Sequence, residues 1–82
     1  MPRYFFDYIC GHETMPDDEG VELPSPSEIP GAAFKALPEM LKDLPRRAPQ
    51  TASISVRDET GRLVFITTIF LSARWERLSP DL

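Results

Sequence analysis

Three side chains suited to metal or nucleophilic chemistry lie close together near the start of this chain. They are Asp7, Cys10 and His12, and an acidic stretch over residues 13–19 follows them. A thiolate, an imidazole and a carboxylate are ligands that Zn²⁺ accepts. If one strand runs through this segment, Cys10 and His12 lie on the same face, two residues apart. The chain has only one cysteine and one histidine, however. We therefore expect no metal site, and these three residues are the candidates if one exists.

The same residues make a poor catalytic site. A cysteine and a histidine two apart on a rigid strand rarely reach the geometry of a nucleophile and its base, and no third residue to orient the histidine is evident. The carboxylate pairs Asp17/Asp18 and Asp58/Glu59 lie in predicted turns, where water should keep each pKa ordinary. The acidic stretch lacks the oxygen spacing of an EF-hand loop, and the four glycines are isolated, so no phosphate loop is present. We expect no catalytic residue and no cofactor, and predict that the protein is not an enzyme.

A predicted β-hairpin over residues 52–71 is the most regular part of the sequence. In its first strand three apolar residues alternate with polar ones, the pattern of a half-buried strand. The turn ends in Gly61, which can adopt the positive φ that closes such a turn. The second strand is apolar on both faces, with Leu63, Phe65, Ile69 and Leu71 on one and Val64, Ile66 and Phe70 on the other. Both faces of this strand must therefore be covered.

The first part of the chain predicts two more strands. Residues 2–9 form the first strand, with aromatic side chains on both faces. Residues 11–20 form an acidic loop. Residues 21–23 form a short strand that Pro24 ends.

The middle of the chain predicts one amphipathic helix. Ser27 is its expected N-cap, and Pro45 ends it. Pro38 lies within the pattern and predicts a kink or two short helices that meet. The apolar stripe, which recurs every three or four residues, consists of Ile29, Ala33, Leu37, Met40, Leu41 and Leu44.

In this order the elements form an α+β domain, β-β-α-β-β, with the helix packed on one face of a small antiparallel sheet. One helix leaves the second face of that sheet bare. Burying an apolar side chain contributes roughly 1.5–3 kcal/mol, so the bare face should drive association. We expect a homodimer, with interface candidates Val64, Ile66, Phe70 and, at the rim, Trp75. The alternative is coverage by the Pro/Ser-rich connection at 24–30 and the tail at 73–82, whose conformation the sequence leaves open.

Length and charge limit the domain count and the classes of partner that the chain can bind. The 82 residues make a single domain, and the net charge is −4. Residues 1–45 carry nine acidic and three basic side chains, a balance of −6, whereas residues 46–82 carry four and six, a balance of +2. An acidic chain disfavours sequence-independent binding to nucleic acid, whose affinity comes mostly from phosphate neutralisation. The acidic half suits a basic protein partner instead.

Three observations concern the compartment. A single cysteine excludes an intrachain disulfide. The apolar run after Arg3 is too short for a secretory signal. The longest apolar run, residues 63–71, is about half the length of a membrane-spanning helix. We therefore expect a cytoplasmic protein that makes no contact with membranes.

Several segments together resemble a known family. They are MPRYFFD at residues 1–7, DDEGVELP at residues 17–24 and VRDETGRLV at residues 56–64. The chain resembles a family of short bacterial proteins described only as a domain of unknown function, and the likeness covers most of residues 1–70. The resemblance implies no activity, cofactor or catalytic residue. Pro30 and Pro38 depart from the Ala-rich, proline-free central helix that is usual in this family.

A weaker resemblance is to small antitoxin subunits of the HicB type. These proteins place an N-terminal strand, an acidic turn, a short strand ending in Leu-Pro and a helix in the same order. The Gly-Cys that follows this proline in those proteins is missing here, as is an added DNA-binding tail. This resemblance implies a toxin-neutralising or regulatory subunit that binds a basic protein.

Overall fold

Five antiparallel strands and one α-helix make up the part of the chain that the computed structural model describes, residues 1–76. The elements are β1 (Arg3–Cys10), β2 (Glu13–Met15), β3 (Val21–Glu22), α1 (Ile29–Asp43), β4 (Gln50–Arg57) and β5 (Leu63–Leu71). The predicted α+β class is confirmed. The additional element is β2, which lies inside the segment predicted as an acidic loop. Residues 72–76 have no regular secondary structure, and the rest of the predicted tail, 77–82, lies outside the described residues.

The strands form one sheet in the order β2-β1-β4-β5, and β3 also pairs with β1. Because β4 occupies one edge of β1, the short strands β2 and β3 share the other. Met15 of β2 lies opposite Tyr8, and Val21 of β3 lies opposite Tyr4. Together β2 and β3 are two pieces of a single interrupted edge. The opposite edge of the sheet is β5, a continuous strand of nine residues.

Helix α1 covers one face of the sheet, and the core lies between them. The apolar residues of β4 point toward the helix, as their alternation predicts, and residues of β1 that lie opposite them join the same layer. The buried residues are Tyr4, Phe6, Ile29, Ala33, Met40, Ala52, Ile54 and Val56. No helix among the described residues is long and apolar enough to cross a membrane.

The start of α1 differs from the prediction. A 3₁₀ turn, Pro26–Glu28, precedes the helix, and its N-cap is Ser25, whose Oγ accepts a hydrogen bond from the backbone N–H of Ser27 at 3.1 Å. Ser27 therefore lies inside this turn and is not an N-cap. Ser25 caps the turn because its extended backbone places the hydroxyl ahead of the first N–H groups that lack a partner. The N-cap of α1 itself is Glu28, which makes no side-chain cap hydrogen bond.

The interior of α1 accommodates Pro38 within a single helix rather than two. Proline removes the hydrogen bond to the carbonyl of Phe34. Pro38 and Phe34 are both exposed, so this break lies on the solvent side of α1. Most of the predicted apolar stripe packs on the sheet. The exception is Leu41, which was predicted to face the core and is exposed instead.

A β-bulge changes the beginning of β5. Val56 lies opposite Phe65, whereas Arg57 lies opposite Leu63, so Val64 is an extra residue between the two pairs. Strict alternation predicts Leu63 on the same face as Phe65. The bulge instead moves Leu63 to the position opposite Arg57, where it is exposed.

Candidate association surface

The face of the sheet that turns away from α1, here called the open face, carries the predicted interface residues. Ile66 lies opposite Ser55, and Phe70 lies opposite Thr51. Both are large and exposed, at 51% for Ile66 and 67% for Phe70, and Val64 in the bulge is 42% exposed. The residues opposite Ile66 and Phe70 on β4 are small and polar and cannot shield them. The described chain therefore leaves these three apolar side chains about half exposed to water.

Neither segment that could have covered the open face does so within the described residues. The connection at 24–30 forms the 3₁₀ turn and the first residues of α1, and Ile29 joins the core on the helix side of the sheet. Trp75, in the part of the tail that is described, is 97% exposed. Trp75 and the three exposed residues of the open face therefore all follow β4 in the sequence and all present apolar surface to solvent.

The outer edge of β5 is the second unusual feature. Its nine residues contain no charged residue and no proline. β5 pairs only with β4 in the described sheet, so half of its backbone N–H and C=O groups point away from the molecule. Natural edge strands are commonly short, charged, bulged or covered, because a long open edge is a template for another strand. Apart from the bulge at its start, β5 has none of these protections among residues 1–76.

The opposite edge is closed by the chain itself. Between β2 and β3 the edge is interrupted, and the carboxylate of Asp17 fills the gap. Its Oδ2 accepts a hydrogen bond from the backbone N–H of Phe6 at 3.0 Å, and its Oδ1 accepts two more at 3.1 Å from Glu19 and Gly20. Asp17 thus replaces the missing strand partner of Phe6.

The closed edge is tied to the open face through Arg57. The guanidinium Nε of Arg57 donates to Asp7 Oδ2 at 2.9 Å, and Nη2 donates to the backbone oxygen of Asp17 at 3.1 Å. The backbone N–H of Asp17 donates to Asp7 Oδ1 at 2.9 Å. Arg57 also lies over the ring of Phe5, 4.6 Å from its centre. These contacts hold the interrupted edge to β1 and β4.

The metal-ligand candidates occupy three separate environments. Asp7 lies opposite Ser55 on the open face and is bound by Arg57. Cys10 lies opposite Ala52 on the helix side, with its Sγ 3.7 Å from Gln50 Oε1. His12 is exposed in the turn between β1 and β2. Among residues 1–76 no group of three His, Cys, Asp or Glu side chains is placed to hold a metal ion.

Two of the turn carboxylates, Asp17 and Asp58, do not have the ordinary pKa that was predicted for them. Partial burial alone would raise the pKa of Asp17, but the hydrogen bonds from Phe6, Gly20 and Glu19, together with the charge of Arg57, lower it overall. At Asp58, the hydrogen bond from the Thr60 hydroxyl is the main reason why the pKa is lowered. Both carboxylates are therefore held in the ionised form, which makes them structural acceptors rather than general acids.

A groove of about 400 Å³ lies between α1 and the closed edge. The small residues Ala32 and Ala36 of α1 leave space there, Met15 and Val21 form the rim, and Tyr8 lies within the groove. Burial, followed by the negative charges of Glu39, Asp17 and Asp43, raises the pKa of Tyr8. The groove is therefore mainly apolar, with carboxylates around it.

The sequence did not reveal the roles of Asp17 and Arg57. Asp17 was interpreted as part of a solvated acidic loop, and Arg57 as a polar residue on a half-exposed strand. Their partners are distant in sequence, since 40 residues separate Asp17 from Arg57. The only local signal was the glycine three residues after Asp17, Gly20, because aspartate and glycine are both typical of tight turns.

Comparison with known proteins gives one positive finding. A family model described as a domain of unknown function, DUF6894, matches residues 3–70. No curated protein and no solved structure matches the chain.

Proposed function

The chain belongs to DUF6894, a domain of unknown function, and from its structure we propose that it is a protein-association module that acts as a homodimer through β5. The proposal assigns no catalysis to the chain. Its interface is the β5 surface, which we define as Val64, Ile66 and Phe70 on the open face together with Trp75.

The single observation that carries this proposal is the exposure of large apolar side chains on the open face. Covering the exposed halves of Val64, Ile66 and Phe70 in two copies contributes roughly 5–9 kcal/mol, at about 0.8–1.5 kcal/mol for each half-covered side chain. Association itself costs about 4–15 kcal/mol. The two ranges overlap, so these three residues favour a dimer but need further contacts to hold it. Trp75 and the edge of β5 are available for that purpose.

A second copy is the best occupant of this surface for two reasons. β5 contains no charge, so two identical surfaces meet without repulsion. Apolar patches on soluble proteins commonly mark interaction sites, and symmetric dimers are the commonest soluble assemblies.

Light scattering tests the proposal on the full chain. We expect wild type at twice the chain mass of 9.3 kDa, and Ile66→Asp as a folded monomer. Phe34→Asp is the matched control, because Phe34 is 55% exposed, close to the 51% of Ile66, yet belongs to α1, which lies on the other side of the sheet from the open face. Phe65→Asp should unfold the chain instead, since Phe65 packs against the core. A monomeric wild type at tens of micromolar, or a dimeric Ile66→Asp, overturns the proposal.

A second candidate function is binding of a basic protein segment along the groove beside α1. The observation that favours it is the combination of apolar lining with nearby carboxylates, Asp17, Glu39 and Asp43. Two positive side chains lie on the same helix as Glu39 and Asp43. Lys42 has its Nζ 4.0 Å from Glu39 Oε1, and Lys35 is the other. A cationic segment with one apolar side chain matches this surface.

Fluorescence polarisation with two labelled peptides tests this second function. One peptide alternates Lys and Leu, and the other alternates Glu and Leu. We expect only the basic peptide to bind, and its affinity to fall in Asp43→Asn but not in Glu28→Gln, since Glu28 precedes the helix. Equal binding of both peptides, or of neither, rejects this function.

A further inference from the structure

The apolar pattern of β5 is almost the same in both directions about its central residue, Thr67. We propose that two copies pair edge to edge along β5, antiparallel, about a two-fold axis at Thr67, so that their two sheets become one. This inference rests on the proposed homodimer and specifies how it forms.

The pairing follows from overlap of the two strands around Thr67. When antiparallel strands from two copies are centred on this residue, residues 64–70 have a partner, whereas the bulge puts Leu63 and Leu71 on opposite faces and leaves them out of the pairing. The resulting pairs are Val64 with Phe70, Phe65 with Ile69, Ile66 with Thr68, and Thr67 with Thr67. Aromatic residues then lie opposite aliphatic ones, which is a favourable cross-strand combination. The central five residues, 65–69, are also in regular register with β4, so the bulge does not disturb them.

Edge pairing explains why β5 is apolar on both faces. On the helix side, Phe65 and Ile69 are only partly buried at the margin of the core. Across the seam, Phe65 of one copy would contact Ile69 of the second copy and the reverse, which extends the core layer. On the open face, Val64 and Phe70 would meet in the same way. Stacking of the two open faces would cover only the second set and leave the backbone of β5 unpaired.

The other edge of the sheet does not compete for this role. There β2 and β3 already pair with β1, and between them the carboxylate of Asp17 accepts a hydrogen bond from the N–H of Phe6. Arg3 closes the far end, because its guanidinium donates to the backbone oxygen of Glu19 at 2.7 Å and to Glu22 at 2.9 Å. The outer edge of β5 is the long open one in the described sheet.

Disulfide formation between copies tests the register. Both variants carry Cys10→Ser, so that the introduced thiol is the only one. Thr67→Cys places two thiols directly opposite each other, with Cα atoms about 4.5–5.5 Å apart, within disulfide range. Thr68→Cys is the matched control, because in this register its two copies lie on a diagonal of about 7–8 Å. We expect mild oxidation to cross-link Thr67→Cys at least tenfold more than Thr68→Cys.

The outcomes separate the register from the dimer itself. If the chain is a dimer by mass and Thr67→Cys does not cross-link, the pairing centred on Thr67 is wrong but the proposed function stands. Stacked open faces give that result, since Thr67 lies opposite Ile54 on the helix side and would point away from the second copy. A monomeric chain removes both proposals.

Amide hydrogen exchange on the unmodified chain gives a second readout. Edge pairing should slow exchange of alternate amides of β5 at least tenfold as protein concentration rises through the dimer range. If the mass doubles over this range while all the outward amides of β5 exchange as fast as before, the edge is not paired and the inference is overturned.

Discussion

The two edges of this sheet differ in how their unpaired backbone groups are satisfied. A strand at an edge has backbone N–H and C=O groups without strand partners. At the β1 edge, the chain supplies two short strands, a carboxylate and an arginine, so that β1 is covered by its own sequence neighbours. At the β5 edge, nine uncharged residues remain open. The chain therefore closes one edge for itself, and the other is the edge through which the proposed dimer would pair.

The largest expected loss of stability comes from breaking the closed edge at Gly20. This glycine has φ +73°, and a Cβ there would lie 2.8 Å from Arg3 Cγ and 2.9 Å from Phe5 Cε1. We expect Gly20→Ala to lower the free energy of unfolding by about 3 kcal/mol, from left-handed strain and overlap together. Gly61→Ala is the control: its φ is +87° but nothing lies within 4 Å, so we expect about 1 kcal/mol. Urea denaturation at one protein concentration measures both, and equal losses would show that the closed edge is not tightly packed.

Asp17→Ala should have the next largest effect. The substitution removes the acceptor for three backbone N–H groups, one of which belongs to the buried residue Phe6. We expect a loss of about 2 kcal/mol, measured by urea denaturation. The neighbouring Asp18 is exposed, and Asp18→Ala should change stability by less than about 0.5 kcal/mol. Comparable losses at the two positions would contradict the role assigned to Asp17.

The closed edge should also weaken in acid, by a smaller amount. The folded state lowers the pKa of Asp17, so its ionised form stabilises the fold above the unfolded value of about 3.9. That contribution is lost as the pH falls through the lower, folded pKa. We expect wild type to lose more stability between pH 6 and pH 3 than Asp17→Asn, which cannot titrate. Parallel pH profiles for the two proteins would rule out this contribution.

A substitution at the open edge should have the smallest effect on the stability of the single chain and should weaken the proposed dimer instead. Phe70 is 67% exposed, so Phe70→Lys should change the free energy of unfolding of the monomer by less than about 0.5 kcal/mol. In the dimer, however, two lysines would lie in the apolar seam. We expect the dimer dissociation constant to rise at least tenfold, measured by sedimentation, with Phe34→Lys as the unaffected control. An unchanged constant for Phe70→Lys would place the interface elsewhere.

The same two edges show how far the sequence alone could be interpreted. Strand β4 follows directly from period-two patterning and β5 from its continuous apolar run after the turn, and the open face was predicted from the shortage of elements to cover it. The closed edge was not predictable, because Asp17 acts on Phe6 and Arg57, which are 11 and 40 residues away. The exposure of Leu63 also escaped prediction, since a bulge shifts register without changing composition. Local pattern determined the elements, whereas contacts between distant residues determined the edge.

The interrupted strand β2–β3 also sets a limit on growth. A sheet with two open edges adds copies without end, as fibrils do, because each new copy offers the edge that the last one consumed. Each chain has one long open edge in its described sheet, so in the proposed dimer pairing through β5 would leave only the closed edges on the outside. The carboxylate of Asp17, which accepts the hydrogen bond of the Phe6 N–H, would then help to end the proposed assembly at two copies.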